Sequence, residues 1–305
     1  MAAPWRPPYG ISWPGFPSGR FSDGRVFTDF YASFLNLTSP TSYRVINNTL
    51  NSTREEANVL QSLERKGINF GFGGSGVGRT FGSDIPTIND QIEQLKQLMR
   101  KGVVSTEMLK ASIVLLVVAG NDYGAFLQNH SDIELFTFVP KVVSRIGKSV
   151  EELYNLGFKT IAVTNMEPVG CLPNVTSLNN YTTCNQTANI GLSYTHNAML
   201  AMTISSLRIG FWDANIITLD LYKAFNRVLK GMTHILICLF FLKLKEYFSL
   251  RPCCEGYNGF GCGDVDSAGN PLYKVCSLPQ QSFFWDSFHP SNAGWDAISK
   301  TLLLS

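Results

Sequence analysis

The sequence predicts an α/β fold, a doubly wound parallel sheet with helices between its strands. Two observations carry this. Residues 111–119 (Ala-Ser-Ile-Val-Leu-Leu-Val-Val-Ala) form a continuous, partly β-branched apolar run, the pattern of a strand buried on both faces of a parallel sheet. Further short strand-like runs at 160–164 and 215–221 alternate with segments of helical periodicity, as in repeated βαβ units.

The elements follow in order. Residues 1–25 are rich in Pro and Gly and read as loop. Residues 26–37 place Val26, Phe27, Phe30, Phe34 and Leu37 on one side of a helix. Residues 38–53 read as loop, 55–66 as a short amphipathic helix, and 68–72 as a strand breaking into Gly73-Gly74-Ser75-Gly76. In 88–100, Ile88, Ile92, Leu95 and Leu98 share a helical face. The apolar run 111–119 ends at Gly120-Asn121-Asp122, ordinary turn chemistry. Helices are predicted at 138–156 and 192–207, and a closing helix at 291–304 has Ser291 as its N-cap. Residues 232–244 hold the run Ile235-Leu236-Ile237-Cys238-Leu239-Phe240-Phe241-Leu242. It is shorter than the roughly 20 apolar residues of a membrane span, and reads as a buried helix or strand within an untypical insertion, about 231–248.

At 305 residues the chain has room for one large α/β domain or two small ones, and 1–305 is read as one. The near-neutral net charge of +2 and the lack of a basic stripe argue against nucleic acid. The seven cysteines include no C-x-x-C pair, and the four histidines lie far apart, so no metal site is expected. Cysteines set among Gly, Asn and Pro fit disulfides in loops and an oxidising compartment. Sequons at Asn36, Asn47, Asn51, Asn129, Asn174, Asn180 and Asn185 agree with a secreted glycoprotein. Residues 1–10 lack the charged and apolar regions of a signal peptide. Two readings stand there: an intracellular protein, or one whose true beginning lies upstream.

Catalytic groups of such sheets sit beyond the C-terminal strand ends. Three segments fall at such places: Gly73-Gly74, Gly120-Asn121-Asp122 and the loop with Asp286 and His289. Acyl transfer needs a nucleophile, a base, a group that orients the base, and donors for the oxyanion. His289 suits the base. Asp286, three residues earlier, can fold back to accept the proton on the far ring nitrogen. A bare D-x-x-H also occurs in surface loops, so the pair gains weight only from its company. The Asn121 amide and a backbone N–H near Gly73 or Gly74 could donate to an oxyanion, where one donor is worth about 3–4 kcal/mol.

These pieces together resemble the plant GDSL esterase/lipase family within the SGNH hydrolases. The matching stretches are Phe16-Pro17-Ser18-Gly19-Arg20-Phe21-Ser22-Asp23-Gly24-Arg25, Asn69-Phe70-Gly71-Phe72-Gly73-Gly74-Ser75-Gly76, Val118-Ala119-Gly120-Asn121-Asp122-Tyr123 and Pro168-Val169-Gly170-Cys171-Leu172-Pro173. Cys253-Cys254 and Phe284-Trp285-Asp286-Ser287-Phe288-His289-Pro290 complete the set. The resemblance implies a three-layer α/β/α fold with a flavodoxin-like parallel sheet. It implies His289 as base, Asp286 as its partner, and Asn121 with Gly73 or Gly74 in the oxyanion hole. It also implies secretion and a small-molecule or lipid ester substrate (acylglycerol, wax or cutin-type ester, acetylated wall sugar). No cofactor, nucleic-acid partner or membrane-spanning segment is expected, and the protein is expected to be a monomer. Cys171 with Cys184 is the expected local bridge. Cys253, Cys254, Cys262 and Cys276 would form two more, leaving Cys238 free.

The family's nucleophile lies in a Gly-Asp-Ser motif upstream of the Gly-Arg-Phe-Ser-Asp-Gly-Arg stretch, and these 305 residues hold no such motif. Ser22 and Ser75 are poor substitutes: Ser22 belongs to a segment found alongside the family's own nucleophile, and Gly73-Gly74-Ser75-Gly76-Val77 breaks the G-x-S-x-G elbow at Val77. The first strand, interior in the order 2-1-3-4-5, would be missing with the motif, so the chain alone is expected to fold poorly. An imperfect gene model and a decayed copy both fit these departures. The functional expectation is a carboxylic ester hydrolase. The alternative is a catalytically inactive protein that binds an ester or sugar on the same scaffold.

Overall fold

The structure is a computed structural model, described over residues 3–52, 66–240 and 250–304. In chain order its main elements are α1 (Phe27–Phe34), β1 (Thr41–Ser42), α2 (Tyr43–Ser52), β2 (Ile68–Asn69), α3 (Ile88–Arg100), α4 (Thr106–Ala111), β3 (Ile113–Leu116), α5 (Gly120–Phe126) and α6 (Leu135–Leu156). There follow β4 (Thr160–Thr164), α7 (Thr195–Gly210), β5 (Asn215–Leu219), α8 (Leu221–Phe240), β6 (Cys254–Gly256), β7 (Tyr273–Val275) and α9 (Asn292–Leu303). The chain divides into two compact units. One comprises Met1–Ser39, Pro168–Asn189 and Tyr222–Ser305; the other comprises Pro40–Glu167 and Ile190–Leu221.

The second unit holds the parallel sheet, ordered β3-β4-β5. Central β4 has Ile161, Ala162 and Val163 fully buried, as a strand covered on both faces should. Helix α6 turns Val139, Val142, Val143, Ile146 and Val150 inward, and α7 contributes Leu200 and Ile204. The two helices pack closely where α6 carries Gly147: a Cβ there would lie 2.8 Å from Thr203 Cγ2. A separate parallel pair joins β1 to β2, with Thr41 opposite Ile68 and Ser42 opposite Asn69.

The first unit is built on aromatic packing and disulfides. Phe27 of α1 lies 5.8 Å from Trp295 of α9, and Phe225 of α8 packs edge-on against Trp295 and Phe283. The antiparallel β6–β7 pair is clasped by Cys253–Cys276 and Cys254–Cys262, and Cys171–Cys184 closes a separate loop. These pairs agree with the sequence expectation. The side chain of Cys238 lies outside the described residues.

Several expectations need correction. Residues 41–52, read as loop, form β1 and α2; the weak helix formers Asn47, Asn48, Thr49 and Asn51 are overridden by tertiary packing of Ile46, which is buried, and of Tyr43, whose ring stacks on Phe70. The apolar run 111–119 yields a strand only at 113–116, and it is not buried on both faces: Ile113 is 39% and Val117 47% exposed. Among the described residues β3 has a strand neighbour on one side only, β4 being the middle strand, which leaves β3 less covered. Gly120-Asn121-Asp122 is not a simple turn but the first turn of α5. The predicted helix at 55–66 lies outside the described residues except for Lys66. The backbone from 221 to 240 is one helix, so the first part of the apolar segment is helical; 241–249 lie outside the described residues. Among the described residues no helix is long and apolar enough to cross a membrane.

Candidate active site

The Asp286–His289 loop is fixed from both sides in the chain. An isolated bridge pairs Phe284 with Pro290, and the N–H of Trp285 donates to the His289 carbonyl at 2.7 Å. Behind the loop, Ser291 caps α9 by accepting the Gly294 N–H at 3.0 Å. This tight turn brings the two side chains together. His289 Nδ1 lies 2.8 Å from Asp286 Oδ1 and 2.9 Å from Oδ2. A carboxylate only accepts, so Nδ1 carries the proton and, in the neutral ring, Nε2 carries the lone pair. That is the tautomer a general base requires.

Asp286 is buried while His289 keeps 38% of its side chain exposed. Burial alone would push the Asp286 carboxyl up. The charge and hydrogen bond of His289, the Phe288 N–H and the Tyr9 hydroxyl outweigh it and hold the carboxyl below its ordinary range. The backbone N–H groups of Phe288 and His289 donate to Oδ1 at 2.9 and 2.8 Å, and Tyr9 donates to Oδ2 at 2.8 Å. The imidazole is itself stacked on Phe21, with centroids 4.6 Å apart and planes at 25°.

The Phe16–Arg25 stretch thus has a local task. Arg20 forms a two-pronged pair with buried Asp29 at 2.8 Å on each oxygen. Asp23 accepts the N–H of Asn292 at 2.7 Å, placing a carboxylate at the N-terminus of α9. Gly24 must lack a side chain, since a Cβ would lie 2.8 Å from Asn292 Oδ1. Ser22 is fully buried and bonded to Asp23 and the Gly24 N–H, consistent with a structural place.

The second unit carries the glycine loop and Asn121. Gly74 adopts φ +86°, a left-handed conformation that favours glycine. Its neighbour Gly73 is exposed. Asn121, in the first turn of α5, donates from Nδ2 to the Ser75 carbonyl at 2.9 Å, which ties helix and loop together. The next residue, Asp122, does the same from its carboxylate: it accepts the N–H of Val77 and of Gly78, each at 2.9 Å. Burial pushes the Asp122 carboxyl up, opposed by those two N–H groups and by Arg145. Gly76 allows this approach; a Cβ there would lie 2.6 Å from the carboxylate. Ser75 Oγ donates to the Pro86 carbonyl at 2.7 Å and accepts from Gln91, a turn-stabilising role. Tyr123 bonds His196 Nδ1 at 2.7 Å within the core, and burial lowers the His196 pKa to about 4.

Residues 11–302 match the family model of GDSL-like lipases and acylhydrolases. The chain belongs to this family. Among its relatives are two GDSL esterase/lipases of Arabidopsis thaliana, 36% and 35% identical; the matches cover 98% and 99% of this chain and 80% of each relative. Acetylajmalan esterase 2 of Rauvolfia serpentina is 29% identical over 97% of this chain and 81% of its own. The GDSL family makes this chain, by kinship, a carboxylic ester hydrolase with the three-layer α/β/α fold, and its parallel sheet and helices agree with that fold.

Each predicted site residue of this GDSL chain therefore has a defined setting. Asp286 and His289 are paired as expected. Asn121 and the Gly73-Gly74 turn are linked through Ser75. The sequence assigns no site role to Tyr9, Phe21 or Asp122, the last two standing only as members of longer motifs. Tyr9 and Phe21 lie more than 260 residues from the groups they touch, and Asp122 reads as a turn former beside Asn121. A cavity of about 270 Å³ lies against α7 and the C-terminal ends of β4 and β5, lined in part by Asn165, Asn197, Arg208 and Asp220. None of the sequence-predicted site residues lines it.

Proposed function

We propose that the ester hydrolysis of this family runs here by serine acyl-enzyme chemistry, with His289 as general base and Asp286 as its orienting partner. The observation that carries this is His289 Nδ1 set 2.8 and 2.9 Å from the two oxygens of buried Asp286, whose carboxyl is held below its ordinary range. Asn121 and the backbone at Gly73-Gly74 are proposed as oxyanion donors. Asn121 Nδ2 has a second N–H beyond the one given to Ser75, so one amide can hold the loop and still donate. The nucleophile is proposed to come from a Gly-Asp-Ser segment outside these 305 residues.

The substrate is a small or lipid ester. Phe288, 54% exposed beside the base, offers an apolar surface to an acyl or alcohol group. The name of the Rauvolfia relative supports acetyl esters as one class to try. Three disulfides support an oxidising, secreted setting, with the exposed sequon Asn36 as a glycosylation site.

Joining an upstream segment with a Gly-Asp-Ser motif and treating the product with a fluorophosphonate probe tests the reading. Labelling of the motif serine, lost in His289→Ala, is the expected result. Ligand-induced thermal stabilisation by esters with no labelling would favour a binding protein instead.

A further inference from the structure

The Pro-Pro-Tyr-Gly turn near the N-terminus sends one side chain into the base pair. Tyr9 is 3% exposed and sits in a cluster with Cys253, Cys254, Cys262 and Trp285. Its ring meets Phe21 and Trp285 edge-on, each with centroids 6.1 Å apart. Phe21 in turn stacks on the His289 imidazole. The Tyr9 hydroxyl donates to Asp286 Oδ2 at 2.8 Å, across 277 residues of sequence. Packing therefore fixes where the hydroxyl points, and the disulfide-clasped segment fixes the packing.

We propose that Tyr9 is a positioning residue of this hydrolase, holding the Asp286 carboxylate in the ionised, His289-facing state. The donors around that carboxylate divide cleanly. Oδ1 receives two backbone N–H groups, and both oxygens face His289 Nδ1. Tyr9 is the side-chain donor that completes Oδ2. Without it, a buried oxygen would lose a partner that favours its charged form. The carboxyl would be easier to protonate, and a protonated Asp286 no longer fixes the tautomer of His289. Burial and the negative charge of Asp286 keep the phenol protonated, so it remains a donor. The other charged groups that bear on Tyr9 are Asp264 and Arg6, which lie 3.9 Å from each other.

The inference rests on the assignment of Asp286 and His289 as the base pair, but its test needs no turnover. Tyr9→Phe keeps the ring, and so keeps the packing against Phe21 and Trp285, while deleting the hydroxyl. The carboxyl resonance of Asp286, followed by carbon NMR in the full chain labelled at aspartate, is expected to titrate about one pH unit higher in Tyr9→Phe, a tenfold change in its proton affinity. A midpoint that stays put in a folded Tyr9→Phe chain overturns the proposal, whatever becomes of the esterase assignment. If Tyr9→Phe fails to fold, the coupling is read from the other side in a tyrosine-labelled chain. Replacing the carboxylate in Asp286→Asn should then shift the Tyr9 ring-carbon resonance next to oxygen. An unchanged Tyr9 signal overturns the proposal equally.

Discussion

Asp286 Oδ1 lies 2.8 Å from both the backbone N and the ring Nδ1 of His289. One carboxylate oxygen thus fixes the main chain and the side chain of the same residue. The group that faces the imidazole comes from its own loop, and the one distant side chain that bears on the pair, Tyr9, acts through the other carboxylate oxygen.

Asp286→Ala should therefore unfold the loop as well as remove a charge. It strands two backbone donors, the Tyr9 hydroxyl and the His289 N–H. A loss of about 2–3 kcal/mol is expected, discounted for the partial exposure of His289. Urea unfolding with unchanged slope, compared with the parent chain, measures it.

Asp122 is predicted to hold the glycine loop. Asp122→Ala orphans the N–H groups of Val77 and Gly78, at a cost of about 1–3 kcal/mol. Gly76→Ala should be harmful for the opposite reason, because its methyl group would meet the carboxylate at 2.6 Å. Hydrogen exchange at the Val77 and Gly78 amides should speed up in both variants; unaltered exchange would show that Asp122 is dispensable to the loop.

Stability should fall with acid in two windows. His196 is buried neutral, with its pKa lowered from 6.5 to about 4 by burial. The unfolded chain then binds the extra proton, so stability from this group is complete above pH 6.5 and lost as pH falls toward 4. The loss is about 3 kcal/mol. Asp286, held below 3.8, contributes stability that is present above 3.8 and lost as pH falls through its folded value. Asp122, raised by burial, acts in the opposite sense. The difference in pH slope between the parent and His196→Phe isolates the first window; parallel slopes would contradict it.

The Cys171–Cys184 bridge spans a sequence separation of 13. Its removal by Cys171→Ala with Cys184→Ala is expected to cost about 3 kcal/mol on the chain-entropy account. Non-reducing peptide mapping should recover this bridge together with Cys253–Cys276 and Cys254–Cys262.

What the sequence made legible follows from how local each signal is. Helix α3 and strand β4 appear at their predicted bounds, 88–100 and 160–164, because Ile88, Ile92, Leu95 and Leu98 share a face and Ile161–Val163 are fully buried. The pairing of Asp286 with His289 was legible for the same reason: a separation of three residues within one loop decides it. Helix α2 was not, since its Asn-rich sequence folds as a helix only through Ile46 and Tyr43. Nor was Tyr9, whose partner lies at the other end of the chain. With a strand neighbour on one side only among the described residues, β3 left Ile113 and Val117 exposed in a run that looked like buried strand throughout, because the run itself does not say how many neighbours it will have.

The role proposed for His289 is that of general base in ester hydrolysis. It is tested by hydrolysis of a nitrophenyl acetate by the chain joined to an upstream segment that carries a Gly-Asp-Ser motif, against the same protein carrying His289→Ala. Saturable turnover that falls at least about 10⁴-fold in the variant is the predicted result. Turnover that survives in His289→Ala would contradict the assignment.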